Sequence, residues 1–111
     1  MSDSLKVLGQ ISPSATTETD FYSVPAATQT TVSSIVITNR DSGAATYRLS
    51  VSTEGTATSN KDYLIYDKAL AGNTTDTLVI GITLNETDKI RAYASTANLS
   101  FNAFGCETSE E

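Results

Sequence analysis

The sequence has 111 residues, which suffices for one small domain built around a single hydrophobic core. Seven basic and thirteen acidic residues give a formal charge of −6, so nucleic acid and anionic membrane surfaces would repel the chain. It contains no His and one Cys, which excludes His-based catalytic triads, His-ligated metals, an internal disulfide and an all-Cys metal site.

Hydroxyl side chains take the place of many charged ones. Only 18% of the residues are charged, whereas Thr occupies 18 positions and Ser 14. Thr favours β-strands, while Ser favours turns and caps. The composition therefore predicts an all-β domain with a surface rich in hydroxyl groups.

Short runs of alternating apolar and polar residues, separated by turn residues, predict strands throughout the chain. In chain order they cover residues 5–11, 21–24, 30–39, 45–53, 63–66, 75–84, 89–95 and 99–107. In the third run the apolar positions change parity near Ser33 and Ser34, which predicts a bulge or a strand buried on both faces. We expect one antiparallel β-sandwich domain over residues 1–111, jelly-roll or immunoglobulin-like, with seven to eight strands.

The same alternation assigns about eighteen side chains to the core. They are Leu8, Phe21, Val24, Val32, Ile35, Ile37, Tyr47, Leu49, Val51, Leu64, Leu78, Ile80, Ile82, Ile90, Ala92, Leu99, Phe101 and Phe104. Burying each is worth roughly 1.5 to 3 kcal/mol, but conformational entropy cancels most of that gain. Contacts between copies would therefore matter to the stability of this chain.

Carboxylates at turns and strand ends are the candidates for acid–base chemistry or calcium binding. They are Asp62, Asp67, Asp76, Glu86 and Asp88, the last two accompanied by Asn85 for calcium. Ordinary turn chemistry explains the same residues, because Asp and Asn bond readily to nearby backbone amides. We predict no catalytic residue, no metal and no cofactor, and hence a protein that is not an enzyme.

Tyrosines are the candidates for a contact surface, since Tyr offers a large area at a low entropy cost. Tyr63, Tyr66 and Tyr93, together with Arg48, form the predicted interaction surface. The alternative is that these side chains form a half-buried rim of the sandwich.

Neither end of the chain carries a recognisable targeting signal. The start lacks the basic and apolar regions of a secretory signal peptide, and no run approaches the roughly 18 apolar residues that span a bilayer. We expect a soluble chain that is made in the cytoplasm and makes no contact with membranes. Residues 107–111 are polar and acidic, and we expect them to form a flexible tail.

Five segments, taken in order, resemble a family of small β-sandwich virion structural proteins of tailed bacteriophages. They are FYSVPA at 21–26, SSIVITNR at 33–40, KDYLIYD at 61–67, GITL at 81–84 and ASTANLSF at 94–101. The resemblance extends over residues 5–107 and is nearest to phages of marine cyanobacteria. It implies a head decoration or tail accessory protein present in several copies, and it brings no catalytic residues.

The predicted function is thus a non-enzymatic decoration or accessory subunit, located in the virion and docked on the capsid or tail through β-rich contacts. Its expected partners are other virion proteins and further copies of itself, with a trimer as the expected oligomer. The alternative function is a receptor- or carbohydrate-binding module of a tail or head fibre.

Overall fold

Strands form in every segment for which alternation predicts one. A computed structural model describes residues 2–109; Met1, Glu110 and Glu111, which belong to the predicted domain, lie outside the described residues. The nine strands of the described chain are β1 (Ser2–Ile11), β2 (Thr19–Ser23), β3 (Thr28–Asn39), β4 (Ala45–Ser52), β5 (Tyr63–Leu70), β6 (Thr75–Leu78), β7 (Ile82–Leu84), β8 (Lys89–Ala94) and β9 (Leu99–Ser109). Between β4 and β5 lie two short 3₁₀ turns, and no helix within residues 2–109 could cross a bilayer.

The strands pair in a nested order that identifies the fold. Sheet I has the order β1-β9-β3-β6, with β7 also paired to β3, and sheet II has the order β2-β8-β4-β5. The first strand thus pairs with the last, the second with the last but one, and so inward, always antiparallel. With β6 and β7 counted as two halves of one strand, this is the eight-stranded jelly roll. The predicted antiparallel β-sandwich is confirmed, and the topology selects the jelly roll over the immunoglobulin-like alternative.

A bulge in β3 explains the change of parity seen in the sequence. The register between β3 and β9 shifts between Val32 and Ser34, so Ser33 is an extra residue. Alternate side chains are buried up to Val32 and again from Ile35 onward, which lets both halves of the strand face the core. Of the two predicted alternatives at Ser33 and Ser34, the structure has the bulge and not a strand buried on both faces.

The same bulge interrupts the strand on the other side of β3. Val32 pairs with Ile82 and Ile35 pairs with Leu78, which leaves residues 79–81 outside the sheet. The prediction of one continuous strand over 75–84 is therefore wrong at its centre. Ile80, expected in the core, is 37% exposed.

Two further core predictions are wrong, one because of a bulge and one because of regular alternation. Leu64 is 47% exposed, since β5 carries an extra residue between the partners of Leu49 and Ser50. Phe104 is 36% exposed because β9 keeps strict alternation from Phe101, which places a residue three positions later on the opposite face. The remaining members of the predicted core are buried or packed against it.

The last strand is longer than the sequence predicts. Glu107, Thr108 and Ser109, expected in a flexible tail, pair with β1 on one side and with β3 on the other. Glu110 and Glu111 of the predicted tail lie outside the described residues.

Two tyrosines of sheet II reach across the sandwich to carboxylates of sheet I. The Tyr47 hydroxyl donates to Asp76 Oδ2 at 2.9 Å, and Lys68 Nζ donates to the same oxygen at 2.8 Å. The Tyr22 hydroxyl donates to Glu107. We call these two contacts the tyrosine bridges, because each joins the two sheets through a phenol and a carboxylate.

Burial and neighbouring hydrogen-bond donors shift the pKa values of the groups in the tyrosine bridges. Burial raises the pKa of the Tyr47 phenol, and the hydrogen bond from Lys68 lowers the pKa of Asp76 below its usual range. Burial raises the pKa of Glu107, but hydrogen bonds from Tyr22 and Lys6 outweigh burial, so its pKa is also lowered. Both carboxylates are therefore ionised at neutral pH.

We predict that Tyr47→Phe lowers the free energy of unfolding by about 1.5 kcal/mol, because it removes a hydrogen bond to an ionised group and keeps the buried ring. Urea unfolding followed by circular dichroism measures the change. Tyr66→Phe is the control, since that side chain is 58% exposed and its hydroxyl is accessible to water. Equal loss in the two variants would contradict the role given to the bridge.

We predict that Asp76→Asn flattens the acid limb of the stability curve. The folded-state pKa of Asp76 lies below its unfolded value of about 4, so its contribution is present above that pH. It is lost as the pH falls through the folded-state pKa. Urea unfolding between pH 7 and pH 2 should show the wild type losing more stability than the variant, whereas parallel curves would contradict the assignment.

Candidate functional site

The four residues of the predicted interaction surface lie together on the outer face of sheet II. Arg48 on β4 has one tyrosine from each neighbouring strand: its guanidinium carbon is 4.2 Å from the ring centroid of Tyr66 on β5 and 4.3 Å from that of Tyr93 on β8. Tyr63 contacts Tyr66 edge-to-face, with centroids 4.9 Å apart. We call these four residues the tyrosine–arginine cluster.

A bulge in β5 brings a fifth residue to the cluster. Tyr47 pairs with Lys68 and Leu49 with Ile65, so two residues of β5 stand opposite Arg48 where regular pairing provides one. They are Tyr66 and Asp67, and Asp67 adopts φ 50, a left-handed conformation that costs energy for any residue except Gly. The bulge thereby turns both side chains toward the same guanidinium.

Asp67 binds Arg48 with two hydrogen bonds. Arg48 Nε donates to Oδ1 at 2.6 Å and Nη2 donates to Oδ2 at 3.2 Å. These bonds lower the pKa of Asp67 and raise the pKa of Arg48, so both groups are charged at neutral pH. The sequence predicts for Asp67 a role in acid–base or turn chemistry and not a contact with Arg48, because nothing in the local pattern reveals the bulge that places the two together.

The loop between β4 and β5 covers the part of the outer face next to the cluster. Ser50 and Ser52 point outward from β4 and yet are 1% and 0% exposed. Arg91 on β8 holds this loop: its Nη1 donates to the Thr56 carbonyl oxygen at 2.7 Å and to Thr58 Oγ1 at 3.0 Å, and its Nε donates to Asp20. Ser50 Oγ has no hydrogen-bond partner within the described part of the chain.

The outer face of sheet I carries a different surface, which the sequence did not predict. Leu5 and Val7 on β1 are 86% and 46% exposed, and they lie beside Phe104 and Cys106 of β9 in the pairing register. Gly105 allows β9 to approach β3 closely beside this face, since a Cβ there would lie 2.2 Å from the Thr31 carbonyl oxygen. We call these exposed apolar residues the apolar face.

The carboxylates considered for catalysis or calcium are held by neighbouring groups. Asp62 accepts hydrogen bonds from Ser59 and Lys61, Asp67 accepts them from Arg48, and Asp76 accepts them from Tyr47 and Lys68. Backbone amides donate to the other two: Ala27 to Glu86, and Glu54 and Asn85 to Asp88. Within residues 2–109 no group of three or more Cys, Asp or Glu side chains is close enough to hold a metal ion. These contacts are the turn and ion-pair roles that the composition suggests.

Comparison with known proteins yields structural likeness alone. No protein-family model matches the chain, and no curated protein is similar to it in sequence. A structure of infectious bursal disease virus, Gx strain, matches with a TM-score of 0.57 at 11% identity, over 96% of this chain and 32% of that one. A crystal structure of the T13 IBDV viral particle matches with a TM-score of 0.54 at 12% identity, over 95% and 30%.

A pentameric capsid protein from metagenomic phage sequences is less similar in structure, with a TM-score of 0.39 at 14% identity, over 93% of this chain and 61% of that one. The two stronger matches establish a shared β-sandwich fold. The chain spans about a third of the length of those two viral chains.

We predict that Arg91→Met releases the loop over residues 53–60 and lowers the free energy of unfolding by about 2 kcal/mol, because several hydrogen bonds to one partly buried guanidinium are lost together. Hydrogen exchange of the amides in that loop measures the release. Lys89→Met is the control, since Lys89 bonds to the same Asp20 carboxylate at 2.9 Å and only its aliphatic stem lies beside the loop, at Gly55. Unchanged exchange in Arg91→Met would show that the loop holds itself in place.

Proposed function

We propose that this protein is a non-enzymatic virion structural protein of a tailed bacteriophage, a decoration or accessory subunit docked on the capsid or tail. The observation that supports it best is the jelly-roll topology, an architecture found repeatedly in viral capsid domains and matched here to chains of virus particles over nearly the whole length. Because one fold serves many functions, the proposal also needs a surface suited to assembly.

The apolar face is the surface best suited to contacts with neighbouring virion subunits. Monomeric proteins rarely leave adjacent apolar side chains exposed, and such patches commonly mark protein interfaces. β1 also lies at the edge of sheet I, so its outer backbone groups are free to pair with a strand of a neighbour. A subunit docked here would gain both apolar burial and backbone hydrogen bonds.

The charge of the chain favours docking by this face as well. At a formal charge of −6, two copies repel each other unless they meet through surfaces of low charge density. Lys6, which lies between Leu5 and Val7 on β1, is paired with Glu107 at 2.9 Å, so its charge is already neutralised. Copies joined around a symmetry axis of the particle would form a closed homo-oligomer, and a trimer is the form we propose.

We predict that the purified protein has the mass of three chains of 11.7 kDa, and that the double variant Leu5→Asp, Val7→Asp dissociates to monomers. Two buried carboxylates would oppose association at the apolar face. Light scattering coupled to size-exclusion chromatography measures the mass. Leu64→Asp, an equally exposed apolar position on sheet II, should leave the oligomer intact.

The virion role itself is tested on purified phage. Mass spectrometry of the particles that encode this chain should find it in stoichiometric amounts, and particles without it would contradict the proposal. A monomeric wild type, or an oligomer that persists in the double variant, would contradict the proposed docking face. The virion role would still be decided separately, by the mass spectrometry of the particles.

A further inference from the structure

We propose that the tyrosine–arginine cluster, together with Asp67, is a binding site for a neutral carbohydrate. This inference rests on the geometry of the outer face of sheet II and is independent of the virion role and of the apolar face. The site combines an aromatic surface with a neighbouring donor and acceptor pair, which are the two components that a sugar ring requires.

The aromatic surface comes from the tyrosines. The Tyr66 side chain is 58% exposed although it contacts both Arg48 and Tyr63, so much of the ring remains accessible to a ligand. A sugar ring carries C–H groups on its flatter face, and these pack well on an aromatic ring. Tyr93, on the other side of Arg48, broadens the surface across three adjacent strands.

The polar part of the site is the pair formed by Arg48 and Asp67. Their two hydrogen bonds use two of the five guanidinium N–H donors and leave lone pairs on both carboxylate oxygens. The two side chains remain 25% and 44% exposed, so the spare donors and acceptors are accessible from solvent. Adjacent hydroxyl groups of a sugar each donate and accept, and they can therefore bind across such a pair.

The charges favour a neutral sugar over an acidic one. Asp67 cancels the charge of Arg48 at the centre of the site, and the chain as a whole is negative. An anionic sugar would therefore meet repulsion that a neutral hexose does not. The surface that we assign to protein contacts, the apolar face, lies on the other sheet.

The backbone of the β5 bulge adopts an energetically unfavourable conformation at Asp67. Asp67 occupies a left-handed conformation that Gly adopts without strain, and it does so within a bulge that aims two side chains at one guanidinium. The rings on either side of Arg48 limit its rotation, so its free N–H groups are already oriented before a ligand arrives.

The test is a titration of the full chain with methyl glycosides of glucose, galactose and mannose, followed by ¹H–¹⁵N NMR, with methyl glucuronide as the acidic comparison. At least one neutral glycoside should shift the amides of residues 46–50, 63–69 and 91–95. Tyr66→Ala should weaken that binding by at least about tenfold, the loss typical of an aromatic contact at the centre of a site. Phe104→Ala, an exposed aromatic residue on sheet I, is the control and should bind as the wild type does.

Asp67→Gly separates a binding role from a structural one. Gly relieves the left-handed strain, which offsets the loss of a partly exposed ion pair, so the melting temperature should change little. The loss of both acceptor oxygens should weaken sugar binding by at least about tenfold. Equal affinity in Asp67→Gly, preference for the glucuronide, shifts that map elsewhere, or no shift with any neutral glycoside would overturn the proposal. Binding must also persist in Leu5→Asp, Val7→Asp, which distinguishes this site from the docking face.

Discussion

The fold depends on a cluster of three aromatic rings at the centre of the sandwich. Phe101 of sheet I is fully buried and lies edge-to-face against Phe21 and Tyr47 of sheet II, with ring centroids 6.0 Å away in each case. Aromatic pairs in this arrangement gain more than their buried area alone provides. Because these rings fix which face of each sheet is inside, they also fix which side chains are left on the two outer faces.

Bulges shift the alternation of strands in both sheets. In sheet I the extra residue at Ser33 keeps β3 facing the core and opens the sheet at residues 79–81. In sheet II the extra residues of β5 turn Leu64 outward and bring Asp67 to Arg48. The outer face of sheet I presents exposed apolar side chains on β1 and β9, whereas that of sheet II presents charged and aromatic ones, so the two faces suit two kinds of contact.

The sequence predicts a strand and its bulges correctly where apolar and polar side chains show which face of the sheet each residue occupies. The parity change at Ser33 is readable because aliphatic residues lie on both sides of it. The bulge in β5 is not readable, since Tyr66 fits either face and Asp67 resembles a turn residue. The members of the tyrosine–arginine cluster could be named from their chemistry, but their contact depends on strand order, which is a property of pairing over long distances.

The central claim is that this jelly roll assembles into a particle through the apolar face of sheet I. The most direct measurement is a cryo-electron microscopy reconstruction of the virion that we propose to carry the chain. The account predicts density for the domain with Leu5, Val7 and Phe104 covered by a neighbouring subunit and with Arg48 and its tyrosines facing solvent. A reconstruction with the apolar face open to water, or with no density for the domain, would contradict it.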